Sequence, residues 1–428
     1  MKNFWLTLLF WFAALMIHGQ ITLEYCQQMA RKNYPLIRQY NLIEQSAKYN
    51  ISQIHKAYLP QISLNGKATW QSDALRFPEE FSDLLDQIGA SIDFPPQDQY
   101  NIALELTQTI WDGGITSGQK KSVDAQKEVD KNNLEVNLYA LVKQINQLFF
   151  SVLLIDEQIK QNNLLLEELE RNYKTVLSYV DAGIAHQSDL DEVTVEILSA
   201  EQRDMEMKTS RKTFIRMLNI FIGEEIGDRT LIKPSADYDG TENIHRPELK
   251  LFDAQIRLFD TQSGTLWNRG MPRIALFAQG AYGNPGLNMF ESGFKPYFIG
   301  GIQLAWNFSG FYTNKNEKQL LGVQKQQVEI QRETFLFNTR QEIEQKNGEI
   351  EKLRNLLIKD DEIIKLRENI QETAEFKVEN GTMSVNELLR SINSANIARQ
   401  NRSYHEIELL LAVWQLRTET GIELNHSK

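Results

Sequence analysis

One cysteine, Cys26, is all that the 428 residues carry. That excludes an internal disulfide and any metal site built from several thiolates. Cys26 lies well past the apolar N-terminal core and has no flanking small-residue box. It therefore reads as a small packed side chain rather than a lipid attachment point. Positive charge is in deficit: Lys and Arg number 46 against 57 Asp and Glu, a formal net charge of −11. No basic patch stands out to displace counterions from a phosphate backbone, which argues against a nucleic-acid partner. The six histidines, at 18, 55, 186, 245, 405 and 426, lack metal-ligand spacing. Neither a phosphate loop nor a nucleophile elbow is present. No catalytic residue, metal site or cofactor is expected, and the chain reads as a non-enzyme. His186 is expected to be an exposed histidine, with a pH-sensitive contact as the alternative.

Long apolar runs are equally scarce. The one at the N-terminus, Phe4 to Ile17, falls short of the roughly 20 residues that a membrane-spanning helix needs. Lys2 before it and the small Gly19 after it give a secretory signal pattern. Residues 1–19 are expected to be removed, leaving Gln20 first. With 24% charged and 42% apolar residues, the chain is neither disordered nor a multi-span helical membrane protein.

Proline is absent from two long stretches. The ten prolines sit at 35, 60, 78, 95, 96, 234, 247, 272, 285 and 296; none lies between Gln97 and Lys233 or after Pro296. The first proline-free stretch holds a seam from Gly114 to Gly183. Leu134, Leu138, Leu141, Ile145, Leu148, Val152, Ile155, Ile159, Leu166, Leu169, Tyr173, Val176 and Val180 follow steps of four and three, broken by Asn162. A repeat of 3.5 residues predicts a helix packed in a coiled-coil-like seam. At 1.5 Å per residue it is about 100 Å long, too long for a compact globule to bury. A second, noisier helix is expected from Thr313 to about Val378. Ile343, Ile350, Leu353, Leu357 and Ile364 fit its seam, while Lys346 and Asp360 intrude.

The landmarks are duplicated. Pro35 to Pro60 and Pro247 to Pro272 each span 25 residues, offset by 212. Gly183 to Gly223 and Gly381 to Gly421 each span 40, offset by 198, so the first copy carries 14 extra residues between Pro60 and Leu104. The predicted organisation is a signal peptide over 1–19, a first repeat over 20–235 and a second over 236–428.

Each repeat changes period from helical to strand-like in two segments. In the first, Ile62, Leu64, Ala68 and Trp70 share one face, and Tyr100, Ile102, Leu104, Leu106 and Ile110 another. In the second, Ile274, Leu276, Ala278 and Tyr282 share one face, and Phe298, Ile302, Leu304, Trp306 and Phe308 another. One face is apolar and one polar, with aromatics near the ends, as in an outer-membrane barrel strand. Loops are expected over Ser72–Gln99 and Gly283–Lys295. Four strands cannot close a barrel, and open edges are not tolerated in lipid. The chain must oligomerise: two copies give eight strands and three give twelve. Each long helix ends at a glycine turn, Asp181-Ala182-Gly183 or Glu379-Asn380-Gly381. Returning helices are expected to start near Ser188-Asp189 and Ser384-Val385-Asn386-Glu387, with N-cap chemistry.

Ala57-Tyr58-Leu59-Pro60-Gln61-Ile62, Gln108-Thr109-Ile110-Trp111-Asp112-Gly113-Gly114, Arg246-Pro247-Glu248-Leu249 and the paired turns resemble the TolC family of outer-membrane efflux and secretion channels. The resemblance covers nearly the whole chain after residue 19. It implies a mainly α fold with a membrane β-barrel: a homotrimer whose twelve strands cross the outer membrane and whose helices form a periplasmic tunnel. It also implies outer-membrane lipid, a periplasmic adaptor (membrane fusion protein) and an inner-membrane transporter of RND, ABC or MFS type as partners. On the family pattern, Gly183, Ile184, Ala185, Gly381, Thr382 and Met383 would contact the adaptor. Asp189 and Glu387 would narrow the tunnel mouth. Arg390 stands where a second carboxylate is often found, and would either latch to Glu387 or a neighbouring carboxylate, or lie free on the surface. The function implied is passive conduction of exported substrates in a tripartite efflux or type I secretion system. The alternative is a secreted coiled-coil structural or adhesin protein without channel activity, which explains the rods but not the matched strands.

Overall fold

A computed structural model describes residues 20–73, 94–227, 229–236, 243–291 and 293–421, with 78, 84, 88 and 89 as isolated positions. The expected signal peptide and most of the Ser72–Gln99 loop lie outside the described residues. In chain order the elements are β1 (Gln20–Ile21), α1 (Leu23–Asn33), α2 (Gln39–His55), β2 (Gln61–Trp70), β3 (Asp98–Trp111), α3 (Ile115–Asp181) and α4 (Gln187–Ile222). They continue as β4 (Thr230–Leu231), α5 (Pro247–Thr265), β5 (Arg273–Asn284), β6 (Lys295–Ala305), α6 (Gly310–Glu379) and α7 (Val385–Thr420). From α2 onward the order helix, strand pair, long helix, returning helix occurs twice. The chain divides into two compact units that cut across these repeats. One takes Asn41–Lys131 and Phe252–Ile330; the other takes Met1–Tyr40, Asn132–Leu251 and Gln331–Lys428.

The first unit is built on one antiparallel sheet in the order β2-β3-β5-β6. The junction between the repeats is therefore a strand pair, β3 with β5, in register from Tyr100 opposite Asn284 to Thr109 opposite Ala275. The register then shifts, so that Trp111 lies opposite Ile274 and Ile110 is bypassed. Ile110, expected on the regular apolar face, instead sits in this bulge. Trp306 and Phe308 also fall outside β6. Their rings lie tilted with centroids 4.9 Å apart in the connection to α6, where the Trp306 indole N–H donates to the Gly270 carbonyl at 3.0 Å.

The Trp111-Asp112-Gly113-Gly114 run converts strand into helix. The Asp112 carboxylate accepts from the backbone N–H groups of Gly114 (2.9 Å) and Thr116 (2.7 Å) and from the Tyr58 hydroxyl (2.8 Å). It thus covers helix-start donors that have no helical partner. Burial works against its charge, but hydrogen bonds from Thr116, Tyr58 and Gly114 prevail and hold its pKa below the ordinary value. Gly113 has φ +73, and a Cβ there would lie 2.5 Å from that of Met271. Only glycine meets both demands.

The second unit is helical. Its largest core joins Ile21, Leu23, Cys26 and Ala30 to Ile145, Phe149, Phe150 and Val152 of α3, and to Leu218 and Ile222 of α4. Cys26 is packed among these apolar neighbours, and burial pushes its thiol up to about 12. The expected seam of α3 lies on the buried side of that helix. A second cluster joins Leu165, Leu169 and Val176 to Val193 of α4, Ala374 of α6, and Leu388 and Ile392 of α7. The seam-breaking residues have partners. Asn162, buried, donates to the Ala200 carbonyl at 2.9 Å. Asp360 meets His405 Nδ1 at 2.6 Å, and Lys346 pairs with Glu349 at 2.7 Å.

The C-terminal ends of the returning helices match across the repeats. Gly223 and Gly421 are both left-handed C-caps, at φ 77° and 78°. The Asn33 side chain donates to the carbonyls of Ile220 and Phe221, and the His245 N–H donates to Thr420 O at 2.7 Å. Asn33 and His245 each stand two residues before a repeat-initiating proline. Arg246 is held between Glu248 and Glu419, with its guanidinium 5.2 Å from the Tyr139 ring centroid. The Arg246-Pro247-Glu248 run therefore ties the start of α5 to the end of α7.

Candidate channel wall and tunnel mouth

Directly opposed residues of an antiparallel pair point to the same side of a sheet. The observed registers therefore sort every strand residue onto one of two faces. Ile62, Leu64, Ala68 and Trp70 of β2 align with Leu106, Leu104, Tyr100 and Asp98 of β3. Leu104 and Ile102 align with Gly280 and Tyr282 of β5, and Ile274 and Leu276 with Leu304 and Ile302 of β6. This gives one continuous apolar face. The opposite face carries Ser63, Asn65 and Lys67, then Asn101, Glu105 and Thr107, then Gln279 and Gln303. Glu105 accepts from Asn65 at 3.0 Å and from Gln279 at 3.5 Å, so this face is bridged by its own polar side chains.

Aromatic groups border the apolar face at both ends. Phe294 stacks with Tyr100 at 6.2 Å and with Tyr282 at 5.6 Å at the hairpin end. At the other end of β3, Trp111 lies opposite Ile274, whose β6 partner Leu304 precedes the Trp306–Phe308 pair by two residues; Trp267 and Phe311, in the segments flanking β5 and β6, lie 5.9 Å apart. Tyr100 and Trp111 are eleven steps apart. At about 3.4 Å per residue and a tilt near 45°, that separates the girdles by about 26 Å along a barrel axis, the height of a bilayer's apolar band. Many large apolar side chains on this face are exposed, Leu64, Trp70, Phe298 and Ile302 among them. In water such a patch would be a liability; in lipid it is solvated.

The two glycine turns have the same geometry. In the first, Ile184 N–H donates to Tyr179 O (2.8 Å) and Gly183 N–H to Val180 O (3.0 Å). In the second, Thr382 N–H donates to Lys377 O (2.9 Å) and Gly381 N–H to Val378 O (2.9 Å). These are Schellman motifs, with Gly183 at φ 74° and Gly381 at φ 66°. Gly183, Ile184, Gly381 and Thr382 are exposed, while Ala185 and Met383 are half-buried.

Asp189 and Glu387 occupy the third position of their helices. The first N-cap is His186, not Ser188 or Asp189 as expected; the His186 N–H donates to Asp189 Oδ2 at 2.9 Å. At the second, the Ser384 N–H donates to Glu387 Oε2 (3.1 Å), and the Glu387 N–H donates to Ser384 Oγ (3.3 Å). Both acids therefore serve as the returning half of a capping box. The sequence signal for this was legible in the second copy as Ser384 and Glu387, three apart. Among the described residues Arg390 makes no ion pair with Glu387; it is exposed. The turns are held to each other one step further on. Asn386 donates to Glu192 at 3.0 Å, and Asn393 to Glu196 at 3.2 Å, joining α7 to α4. Deeper still, Gln371 donates to the buried Glu168, and Arg399 lies 3.7 Å away. Burial pushes the Glu168 carboxyl above its ordinary value, against the pull of Arg399. This group escaped sequence reading because a lone Glu on a helix carries no pattern. Among the described residues no His, Cys, Asp and Glu cluster is placed to hold a metal ion.

Residues 27–223 match the model of the family described as outer membrane efflux protein. Among curated proteins none matches by sequence. The fold is that of solved outer-membrane channels. The outer membrane protein VceC of Vibrio cholerae superposes with a TM-score of 0.65 at 11% identity, covering 92% of this chain and 95% of that one. The CmeC outer membrane channel of Campylobacter jejuni gives 0.62 at 12% identity, covering 93% and 85%. The open state of the MtrE outer membrane channel of Neisseria gonorrhoeae gives 0.63 at 12%, covering 93% and 88%.

Proposed function

We propose that this chain, a member of the outer membrane efflux protein family residing in the outer membrane, is one third of a homotrimeric export duct. The observation that carries the reading is the four-stranded sheet with an apolar outer face and two unpaired edge strands, β2 and β6. In lipid each unpaired backbone group costs several kcal/mol, so both edges must find partners. Two copies would close eight strands, whose interior side chains just fill. Three copies close twelve and leave an aqueous lumen. On this reading the duct is passive: the sequence carries no phosphate-binding loop through which the chain could draw on a nucleotide. Energy enters through an inner-membrane transporter of RND, ABC or MFS type, within a tripartite efflux or type I secretion system. The exposed turns around Gly183 and Gly381 meet a periplasmic adaptor. Asp189, Glu387 and Arg390 line the mouth beside them. A secreted coiled-coil spacer would leave the apolar face of the sheet without a purpose.

The test is the mass of the cross-linked complex extracted by detergent from the outer-membrane fraction. A trimer is expected; a water-soluble monomer or dimer would refute the reading. For the mouth, Glu387→Ala is expected to raise single-channel conductance in a planar bilayer. It also removes a capping interaction, at about 1 kcal/mol, which leaves the hairpin folded. Unchanged conductance and ion selectivity would take Glu387 out of the mouth.

A further inference from the structure

The repeats that build the sheet also specify how copies join. We infer that β6 of one copy pairs with β2 of the next in a register that repeats the internal β3–β5 junction, with Ile302 opposite Ala68 and Gln303 opposite Lys67 of the neighbour. The inference rests on the duct reading for the existence of a neighbour, and on the internal duplication for the register.

The transfer is arithmetic. Gln61 and Arg273 open the first strand of each repeat, 212 apart. Gln61 pairs with Thr107 and Arg273 with Ala305, so second strands correspond at 305 − 107 = 198. The internal junction pairs Leu104 with Gly280. Adding 198 to the first residue and subtracting 212 from the second gives Ile302 opposite Ala68. The same shift places Leu304 opposite Gly66 and Gly300 opposite Trp70. Two independent checks favour this register. It keeps apolar face against apolar face, which a slip by one residue would reverse. Within the span of β6 it also sets large apolar side chains against small ones: Trp70 against Gly300, Ile302 against Ala68, Leu304 against Gly66. On the polar face, Lys67 opposite Gln303 takes the place of the Gln279–Glu105 bridge of the internal junction.

The helical unit also carries exposed apolar positions whose counterparts in the other repeat are internal. Four pairs of positions 198 apart differ in exposure in the same way. Tyr139 is buried and Phe337 exposed; Glu168 is buried and Leu366 exposed; Asn396 is buried and Leu198 exposed; Ser403 is buried and Met205 exposed. In these four pairs the internal position is polar or holds a hydroxyl and the free one is fully apolar. A face of that kind needs covering, and the duplication says by what: the corresponding face of another copy.

Engineered cysteines test the register in the full-length protein in its own membrane. Cys26 is buried with a thiol held protonated, so it stays silent. Directly opposed residues lie within reach of a disulfide, whereas residues two positions off do not. Lys67→Cys with Gln303→Cys, both on the aqueous face, is expected to move most of the monomer band to a covalent trimer on non-reducing gels after mild oxidation. Lys67→Cys with Gly301→Cys or with Ala305→Cys is expected to leave it as monomer. Stronger linking by either shifted pair would overturn the register. Absence of linking in all three, with the unoxidised trimer intact, would overturn the β6–β2 junction itself. Loss of the trimer from the unmodified protein would instead sink the duct reading, a distinguishable outcome. If a double variant fails to assemble, Ala68→Cys with Ile302→Cys probes the same register on the other face, with Leu304→Cys as its shifted control.

Discussion

Four glycines share one backbone conformation but not one environment, which separates conformational from steric cost. Gly183, Gly223, Gly381 and Gly421 all have φ between 66° and 78°. Replacement by alanine costs each about 1–2 kcal/mol for holding a Cβ in the left-handed region. At Gly183 and Gly381 nothing lies within 4 Å of the added carbon, so the cost ends there. At Gly223 the carbon meets the Asn33 side chain at 2.6–2.8 Å. That side chain can rotate away, but gives up two hydrogen bonds to helix-end carbonyls, worth about 0.5–1.5 kcal/mol each. At Gly421 the obstacles are backbone atoms, His245 C at 2.6 Å and Arg246 N at 2.8 Å. They cannot yield without disturbing the Arg246–Glu419 pair. The expected order of damage is Gly421→Ala, then Gly223→Ala, then the two turn variants together. The assay is the temperature at which the proposed trimer dissociates in detergent, with membrane yield alongside. Gly183→Ala and Gly381→Ala should lower it by a few degrees, at about 2–4 °C per kcal/mol, while Gly421→Ala should fail to accumulate. Equal loss at Gly183 and Gly421 would refute the steric argument. A bulky residue at Gly183 or Gly381 should leave assembly intact and abolish export; normal export would refute adaptor docking there.

The Asp360–His405 pair makes a further prediction. His405→Met leaves a buried carboxylate without its partner and should destabilise the protein by about 1–3 kcal/mol, below the fully buried limit because the pair is partly exposed. Asn162 and Met207 occupy the positions 198 earlier, so adding Asp360→Asn copies the first repeat and should recover much of the loss in a thermal melt. For Glu168, the raised pKa fixes the sign of its pH dependence. The folded state binds this proton more tightly than the unfolded chain, so the charged form is penalised at neutral pH. Its stabilising contribution returns as pH falls through the raised value and is complete below the ordinary 4.5. Glu168→Gln should therefore be more stable than the parent at pH 7. That advantage should vanish toward pH 4.5, and a variant less stable at pH 7 would reverse the account.

Periodicity carried much of the architecture. A 3.5-residue seam from Leu134 to Val180 leaves little choice but a long packed helix, and alternation at Ile62, Leu64, Ala68 and Trp70 little choice but a two-faced strand. Gly183 and Gly381 announced their turns because a left-handed stop wants glycine. The sites were less legible. His186, not Ser188 or Asp189, caps α4, because the cap is chosen by where the chain leaves the Schellman turn rather than by side-chain preference alone. Ile110 continues the alternation on paper, yet the switch from strand to helix at Asp112 requires a bulge there.

By itself the sequence determined the element types, the order in which they follow one another, and the apolar and polar sides of each strand. These follow from local chemistry: side-chain period, proline and glycine geometry, and the demand that backbone groups be paired. Tertiary structure alone decided the strand order that joins the repeats through β3 and β5, the partners of Asn162, Asp360 and Glu168, and the use of Asp189 and Glu387 as caps. Those depend on which residues, far apart in the chain, are brought within hydrogen-bond reach. A pattern along one dimension does not contain that distance.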